Sequence, residues 1–325
     1  MNWLVCPEAA FVLMFVFFAI HSILDGYALG IGCLVPFVRE QREADRLVAH
    51  IAPFWEANEV WLVMGAGFAF AAFPLVYSIA ISTFYLPFMT AIGALVLRAM
   101  ALEFSYHDPT RVRFWRIVMG FGSFLVVIVT AVALGFVLQG LRFTAPEVIS
   151  GDISGSFAAF PLLFGCAGVV FLVWHGMLHA QPAGGPQRLS RPATVFWLLA
   201  VVLAVVVTAL GLARMPSLPA KPFFWLGGGV YFSGLISSRL LVGRGQWAFR
   251  ASALAMIGFW IAVAASLFPD ILISADRPEW SISIRQAAAP ASSLRVVMMA
   301  SPVLMVVIAC YSYFIQRMIR RAGEK

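Results

Sequence analysis

The sequence predicts an all-α polytopic membrane protein with about nine transmembrane helices. Of its 325 residues, 62% are hydrophobic and only 11% are charged, and the mean hydropathy is +0.92. A soluble domain has roughly a quarter of its residues charged. The apolar residues form continuous runs of about 20 residues, which is the length of a helix that crosses a bilayer. Because apolar and polar residues do not alternate in these runs, they indicate helices rather than a transmembrane β-barrel.

The spans follow one another along a single integral membrane domain, residues 1–325. We expect two four-helix bundles followed by one further helix. The second and third spans meet at Phe73-Pro74, which predicts a tight hairpin between them. The predicted spans are approximately 9–35, 53–74, 76–104, 114–138, 157–180, 193–213, 222–241, 247–269 and 293–316.

The distribution of Lys and Arg predicts the orientation of the chain in the membrane. Most of them lie in the loops after the odd-numbered spans and in the C-terminal tail. Since basic residues are retained in the cytoplasm, the N-terminus is expected on the periplasmic side and the C-terminus on the cytoplasmic side. The connection 270–292 is the longest on the outer side, and we expect it to cover that end of the protein.

The net charge of +7 does not indicate a nucleic-acid partner. The basic residues that produce it are spread over short loops between apolar runs, whereas nucleic-acid-binding proteins concentrate them in a basic domain or patch. We therefore expect the partners of the chain to be membrane lipids and other membrane proteins.

The first predicted span contains two ionisable residues, His21 and Asp25. An ionisable side chain at the bilayer centre costs about 2.5–3.5 kcal/mol and therefore needs a partner or a function. The two residues are four apart, so they share one face of the helix. Gly26, Gly30 and Gly32 follow them, and small residues at this spacing allow another helix to approach closely.

The second predicted span begins with a polar segment that contains Trp55, Glu56, Asn58 and Glu59. Its two acids are three residues apart and share a helical face. The segment lies near the cytoplasmic end of the span. It is expected to face the polar residues of the first span.

The third predicted span carries Arg98 and Glu103 near its cytoplasmic end. Five residues correspond to about 140° around a helix. The two side chains are therefore poorly placed to pair with each other, and each is expected to find its partner on another helix.

Two interpretations of these residues are open. Carboxyl groups inside a membrane can exchange protons, so the acids in the cytoplasmic half can form a proton-conducting cluster. Alternatively, ion pairs among them lock the first three spans together. The two interpretations are compatible. The residues concerned are Asp25, Glu56, Glu59, Arg98 and Glu103.

The fifth predicted span ends with His175 and His179, which are four residues apart. Two histidines on one helical face can ligate a metal ion or a haem. No carboxylate or further histidine is near them in the sequence, so a structural or proton-related role is favoured. The four cysteines have no metal-binding spacing either. We expect no metal site in this chain.

Two of the polar segments resemble a known family. Residues 25–32, DGYALGIG, are similar to the D-G-F-D-L-G-x-G stretch of cytochrome bd quinol oxidase subunit II, and residues 53–62, PFWEANEVWL, are similar to its P-x-W-D-G-N-x-V-W-L. The resemblance is dense over residues 20–104 and continues colinearly to the end. Ala28 stands where the family has a second acid, and Glu56-Ala57 stands where it has Asp-Gly. These departures concern the details of a proton route rather than the family.

The resemblance implies a partner, subunit I, which holds b-type haems together with haem d, or a third haem b in cyanide-insensitive members. That subunit oxidises quinol and reduces oxygen to water, and it takes protons from the cytoplasm. Subunit II itself is expected to bind no haem and to stabilise the complex in the bacterial inner membrane. Some members hold a structural quinone in this subunit, and a small accessory subunit is a further expected partner.

The leading hypothesis is therefore the haem-free subunit of a quinol:oxygen oxidoreductase. Its proton pathway is predicted to use Asp25 and Glu56 first and Glu103 third, while a supporting network surrounds them. The alternative is a proton-coupled secondary transporter, which predicts paired broken helices in two repeats. A purely structural membrane scaffold is the third hypothesis. The predicted supporting residues are His21, Trp55, Asn58, Glu59 and Arg98.

Overall fold

The computed structural model describes residues 3–108, 110–143, 151–152, 159–180, 191–244 and 246–323. Nearly all of these residues are helical, so the predicted all-α class is confirmed. Four short strands form two antiparallel pairs: β1 (Arg142–Phe143) with β2 (Gly151–Asp152), and β3 (Asp270–Leu272) with β4 (Ile282–Ser283). The helices are α1 (Pro7–Leu24), α2 (Gly26–Leu34), α3 (Gln41–Ile51), α4 (Trp55–Ala72), α5 (Pro74–Thr83), α6 (Tyr85–His107), α7 (Val112–Gln139), α8 (Ala159–His179), α9 (Arg191–Arg214), α10 (Pro222–Leu240), α11 (Trp247–Leu267), α12 (Ile284–Ala287) and α13 (Ala291–Gly323).

Seven helical segments among the described residues are long and apolar enough to cross a membrane, or eight if α4 and α5 count as one bent span. The first segment is Pro7–Phe37, in which α1, α2 and a following 3₁₀ turn make one span. The glycine-rich α10, at 19 residues, occupies the seventh predicted span but is not among these segments. The polytopic class is thus confirmed, and the count of nine spans stays a prediction.

The prediction of one continuous third span, 76–104, is wrong. The chain forms the short helix α5 after α4, with a bend of 118° between them, and α6 begins only at Tyr85. Proline explains both breaks. Pro74 is the first residue of α5 and Pro87 lies in the first turn of α6, where proline is tolerated because the N–H groups of the first turn have no intrahelical acceptor. The chain turns sharply at Phe73-Pro74, as predicted, but the turn leads into a helix of ten residues rather than directly into the next span.

Four other predicted spans coincide with helices to within a few residues, namely α7, α8, α9 and α11, and the ninth predicted span, 293–316, lies within the longer α13. Residues 157 and 158, the first two of the fifth predicted span, lie outside the described residues. The packing of these helices brings the two halves of the chain together, because α2 packs against both α7 and α8, and α1 packs against both α4 and α11. The last helix, α13, runs along α4.

Glycines set the closest approach between the two halves. A Cβ atom added to Gly30 of α2 would lie 1.9 Å from the carbonyl oxygen of Leu172 in α8, and one added to Gly176 would lie 2.7 Å from the backbone nitrogen of Ile31. No side chain fits at either position without moving the backbone. Gly26 and Gly30 thus face α8, while Gly32 faces Ser123 of α7, so the glycines after Asp25 let other helices approach the first span closely, as their spacing predicts.

The connection that follows α11 covers one end of the protein. Ser274 makes a parallel bridge with Leu141 beyond the end of α7, and the backbone N–H of Ala289 donates to the carbonyl of Ala72 at the end of α4. Arg285 pairs with Glu8 of α1 at 2.7 Å. The segment thus contacts the ends of three helices, as expected for a cover.

The helix α3 lies between the first two spans, where the sequence analysis assigned no element. Its apolar face, Ala44, Val48 and Ile51, is buried. Arg116 of α7, itself 6% exposed, forms an ion pair with Asp45 and donates to Gln41 Oε1 at 2.9 Å. α3 is therefore an amphipathic helix attached to the bundle at the end opposite to the covering segment.

Candidate functional site

The first span is interrupted at Asp25, where α1 ends and α2 begins. The last carbonyls of a helix lack intrahelical partners and need donors from elsewhere. Asn58 of α4 donates its amide to the carbonyl of Leu24 at 2.7 Å, and Nε2 of His175 in α8 lies 3.2 Å from the carbonyl of Ile23. Side chains from α4 and α8 thus contact the carbonyl groups that the interruption of the first span leaves without intrahelical partners.

A buried cluster of charges occupies this break. Asp25 is fully buried and Arg98 is 2% exposed. The Arg98 guanidinium donates to both oxygens of Asp25, with Nη2 at 3.0 Å from Oδ1 and Nη1 at 3.3 Å from Oδ2. Nη1 also donates to Oε1 of Glu59 at 2.8 Å. Fork-shaped contacts of this kind are the strong geometry for Arg and carboxylate groups.

The cluster therefore joins α1–α2, α4 and α6 through one cation and two carboxyl groups. Two ionised carboxylates against one guanidinium leave a net charge of −1, and one added proton neutralises it. A net charge inside a membrane is costly. The arrangement can for that reason bind and release a proton while the ion pair to Arg98 persists.

The structure brings together Asp25, Asn58, Glu59 and Arg98, four of the residues predicted from the sequence. Asn58 is also within 3.3 Å of the hydroxyl of Tyr27, and this hydroxyl is a partner that the sequence analysis missed. The expectation that Arg98 pairs with other helices is confirmed. Glu59 was placed in the supporting network, but it contacts the guanidinium as directly as Asp25 does.

Glu56 lies one turn before Glu59 on α4, and its side chain is exposed. The charges of the two acids interact. Trp55, the first residue of α4, is half-buried. Along α4, side-chain exposure therefore falls from Glu56 to Glu59, which contacts the buried cluster.

His21 lies in the last turn of α1, and its charge interacts with those of Asp25 and Arg98. Its Nδ1 atom is buried and has no hydrogen-bond partner among the described residues. The side chain also lines a large cavity. His21 thus lies between the charge cluster and the cavity.

Glu103 is not part of the cluster, and the expectation that it pairs with another helix is wrong within the described residues. Its side chain is 72% exposed, and Oε1 lies 3.6 Å from Nδ1 of His107 on the same helix. Five residues beyond Arg98, the helix has turned Glu103 away from Asp25. The 140° separation in the sequence indicates that Glu103 and Arg98 face different directions, but it does not indicate whether another helix lies opposite Glu103.

His175 and His179 have different surroundings. His175 is fully buried, with Nδ1 at 2.7 Å from Oγ of Ser252 in α11. His179 stacks on the ring of Tyr27 at 3.8 Å. Among the described residues, no group of three or more His, Cys, Asp or Glu side chains could hold a metal ion. Hydrogen bonds and packing account for His175, whereas His179 has ring contacts, and its buried Nδ1 has no hydrogen-bond partner among the described residues.

Residues 6–319 match the family of cytochrome bd terminal oxidase subunit II. The chain belongs to this family. The resemblance that residues 25–32 and 53–62 predicted is thereby confirmed. As a member of the family, the chain is a subunit of a terminal oxidase and hence part of an oxidoreductase complex.

Relatives of the subunit II family align with the chain over most of its length. A probable cytochrome oxidase subunit 2 of Haemophilus influenzae is 28% identical over 93% of the chain and 90% of the relative. The cytochrome bd ubiquinol oxidase subunit 2 of Bacillus subtilis is 26% identical, covering 97% and 96%. The cytochrome bd-I ubiquinol oxidase subunit 2 of Escherichia coli is 26% identical, covering 90% and 88%.

The fold is also that of a solved relative. A chain in the structure of bd oxidase from Geobacillus thermodenitrificans superposes with a TM-score of 0.77 at 16% identity, covering 98% of this chain and 99% of that one. The family and the fold together favour the oxidase hypothesis over the transporter. Within the described residues the interruptions at Asp25 and Phe73 both lie in the first half, whereas the transporter hypothesis predicts a corresponding pair in the second.

Proposed function

We propose that the chain is the haem-free subunit of a quinol:oxygen oxidoreductase of the bacterial inner membrane and that it supplies a proton-uptake route from the cytoplasm. The observation that carries the proposal is the shared guanidinium. Arg98 holds one fully buried carboxyl group, Asp25, and one that is 23% exposed, Glu59. Because both carboxyl groups contact Arg98, a proton on Glu59 neutralises the cluster just as a proton on Asp25 would.

The route begins at Glu56, passes to Glu59 one turn further along α4, and ends at Asp25. Exposure falls at each step, from an exposed side chain to a partly buried and then a fully buried one. The route differs from the one that the sequence predicted by including Glu59 as a carrier. It excludes Glu103, which is highly exposed at the end of α6.

The partner subunit is proposed to cover the face that α4 and α6 present. Glu56 and Glu103 are exposed on this chain alone, and Glu59 is partly exposed. Acids at membrane depth face protein or a water-filled cavity rather than lipid. A haem-bearing subunit I, with b-type haems and a haem d or third haem b, fits this requirement because it would consume the protons that the acids deliver.

A structural quinone is the second ligand that the proposal includes. The cavity beside α1 has a volume of about 840 Å³ and walls that are mostly apolar. Its polar wall residues include His21, Ser22 and Trp260. A cavity of this size and polarity fits an isoprenoid chain with a polar head group. The lipids of the membrane are the alternative occupants.

The test is quinol-driven oxygen uptake by the purified complex with Glu59→Gln or Glu56→Gln. We expect turnover to fall by at least about tenfold for Glu59→Gln, since a positioned proton-transfer group commonly contributes more than that. Haem absorbance reports assembly. Glu43→Gln, which removes an exposed acid of α3, is the matched control and should retain turnover.

Unchanged turnover of Glu59→Gln in a complex with intact haem spectra would remove Glu59 from the route. A lower yield of assembled complex, with normal turnover per haem, would instead assign the cluster to ion pairing alone. The two interpretations of the sequence are thus separated by one set of variants.

A further inference from the structure

The break in the first span depends on His175, a residue of the fifth predicted span that lies 150 positions after Asp25 in the sequence. The carbonyl of Ile23 can only accept a hydrogen bond, so Nε2 of His175, at 3.2 Å, must carry the proton. With the proton on Nε2, Nδ1 accepts from the hydroxyl of Ser252 at 2.7 Å, and this hydroxyl then donates to Nδ1 instead of to its other acceptor, the carbonyl of Phe249 at 2.8 Å. Both ring nitrogens are thereby satisfied in a fully buried side chain.

The geometry fixes which side chain can fill this position. Gly176 and Gly30 hold α8 and α2 so close that their backbones nearly touch. The side chain of the residue before Gly176 therefore reaches the carbonyls at the end of α1 directly. Phe249 stacks on the His175 ring at 4.6 Å and keeps it in place.

We propose that His175 is a positioning residue for Asp25. Its Nε2–H, together with the amide of Asn58, holds the two carbonyls at the end of α1 and so fixes where the chain turns into α2. Asp25 lies at that turn, and its two oxygens must both face Arg98. Without the His175 contact, the turn between α1 and α2 could move or become regular helix. The hydrogen-bond geometry between Arg98 and Asp25 would then change.

The consequence is a change in how readily the charge cluster takes up a proton. The inference rests on the proposed proton route, in which Asp25 is the innermost carrier. The other titratable and charged groups around Asp25 and His175 come from α1, α2, α4, α6 and α8. They are His21, Tyr27, Cys33, Glu56, Glu59, Arg98 and His179, and His50 of α3 contacts His179.

The experiment compares His175→Leu and His175→Gln in the purified complex. Leucine fills the space without a donor, while glutamine offers an amide donor and a carbonyl acceptor at similar reach. Two measurements are made: the pH profile of quinol-driven oxygen uptake, and hydrogen–deuterium exchange of the peptide covering residues 20–31. For His175→Leu we expect the profile to move by about one pH unit, which corresponds to about 1.4 kcal/mol of differential interaction, and exchange to increase. His175→Gln should restore both towards wild type.

A matched control separates positioning from general loss of packing. Trp174, the preceding residue, is equally buried and donates Nε1 to Oγ of Ser238 in α10 at 3.0 Å, away from the break. Trp174→Phe removes a hydrogen bond of the same kind. It should lower stability without moving the pH profile or the exchange of residues 20–31.

Several outcomes would overturn the inference. One is a wild-type pH profile for His175→Leu under conditions where Asp25→Asn alters turnover. If Asp25→Asn leaves turnover unchanged, the proposed proton route is wrong. Hydrogen–deuterium exchange of residues 20–31 then tests the positioning role by itself, and unchanged exchange in His175→Leu overturns that role as well. If His175→Leu does not assemble, His175→Asn replaces it, because asparagine is too short to reach Ile23. Identical results for His175→Asn and His175→Gln would then contradict the proposal.

Discussion

The guanidinium of Arg98 meets both carboxylate oxygens of Asp25, at 3.0 and 3.3 Å, across a sequence separation of 73 residues. Neither side chain has appreciable contact with solvent. A buried ion pair adds little net stability compared with apolar residues, but removing one partner leaves an uncompensated charge. The pair therefore makes the assembly of α1–α2 with α6 depend on both residues.

Replacement of Arg98 by Met should strongly destabilise the subunit. It leaves Asp25 and Glu59 without their counter-charge, and breaking a buried pair in this way typically costs about 3–5 kcal/mol. We expect little haem-containing complex to assemble, measured as the yield of purified oxidase per cell mass and its thermal stability.

Arg295→Met is the control for this prediction. Arg295 also lies within a predicted span, at the start of α13, but its side chain is exposed. Wild-type yield and stability of Arg98→Met would show that the cluster is not required for assembly.

Much of this cluster could be predicted from the sequence, but its pairing could not. The spacing of Glu56 and Glu59 placed both acids on one side of α4, and the three glycines after Asp25 predicted that another helix approaches this part of the first span. The choice between Asp25 and Glu59 as the partner of Arg98 depends on how three helices pack, and the guanidinium contacts both. The amino-acid sequence alone does not give the distances between side chains on different helices.

The fold, too, could be predicted from the sequence only in part. Continuous apolar runs predicted most helices to within a few residues, because length and hydropathy alone decide whether a helix crosses a membrane. The run 76–104 was misassigned since its composition is uniformly apolar, although Pro87 marked the start of a new helix. The surface helix α3 was missed because it is short and polar on average, and it forms against the bundle through Arg116.

Gly30→Ala should destabilise the contact between α2 and α8. The added Cβ would lie 1.9 Å from the carbonyl oxygen of Leu172, so the two helices must separate. Overpacking of this kind costs about 1–3 kcal/mol. We expect a lower midpoint of thermal unfolding for the purified complex.

The comparison for this variant is Gly67→Ala in α4, where an added Cβ meets no atom within 4 Å. Alanine is the better helix former by roughly 1 kcal/mol, so this variant should be neutral or stabilised. Equal midpoints for the two variants would contradict the close approach of α2 and α8.

Arg116→Met should release α3 from the bundle. Arg116 holds this helix through Asp45 and Gln41, and an isolated helix of eleven residues is marginal in water. We expect faster tryptic cleavage after the exposed residues Arg42 and Arg46, measured by mass spectrometry of the native complex. Arg113→Met, on the same helix as Arg116 but exposed, should leave the cleavage rate unchanged. Equal rates for both variants would show that the apolar face alone retains α3.

Because of Lys221 and Asp270, we expect the stability of the covered end of the protein to depend on pH. Nζ of Lys221 donates to the carbonyls of Ser266 and Phe268, at 2.7 and 2.8 Å, where α11 ends. Burial raises the pKa of Asp270, while the charge of Lys221 opposes that rise. The folded protein therefore binds the Asp270 proton more tightly than the unfolded chain does, and stability falls as pH rises through the interval between the two pKa values.

Lys221→Met should steepen this dependence, because removal of the ammonium leaves the effect of burial on the pKa of Asp270 unopposed. The measurement is the midpoint of thermal unfolding of the purified complex between about pH 4 and about pH 8, a range that extends above the ordinary pKa of an aspartate. The slope, rather than the absolute midpoint, carries the prediction, since Lys221→Met also removes two hydrogen bonds at the end of α11. Adding Asp270→Asn to Lys221→Met should flatten the slope again. A slope that Lys221→Met leaves unchanged, or that Asp270→Asn does not flatten, would show that another group controls the stability of this end.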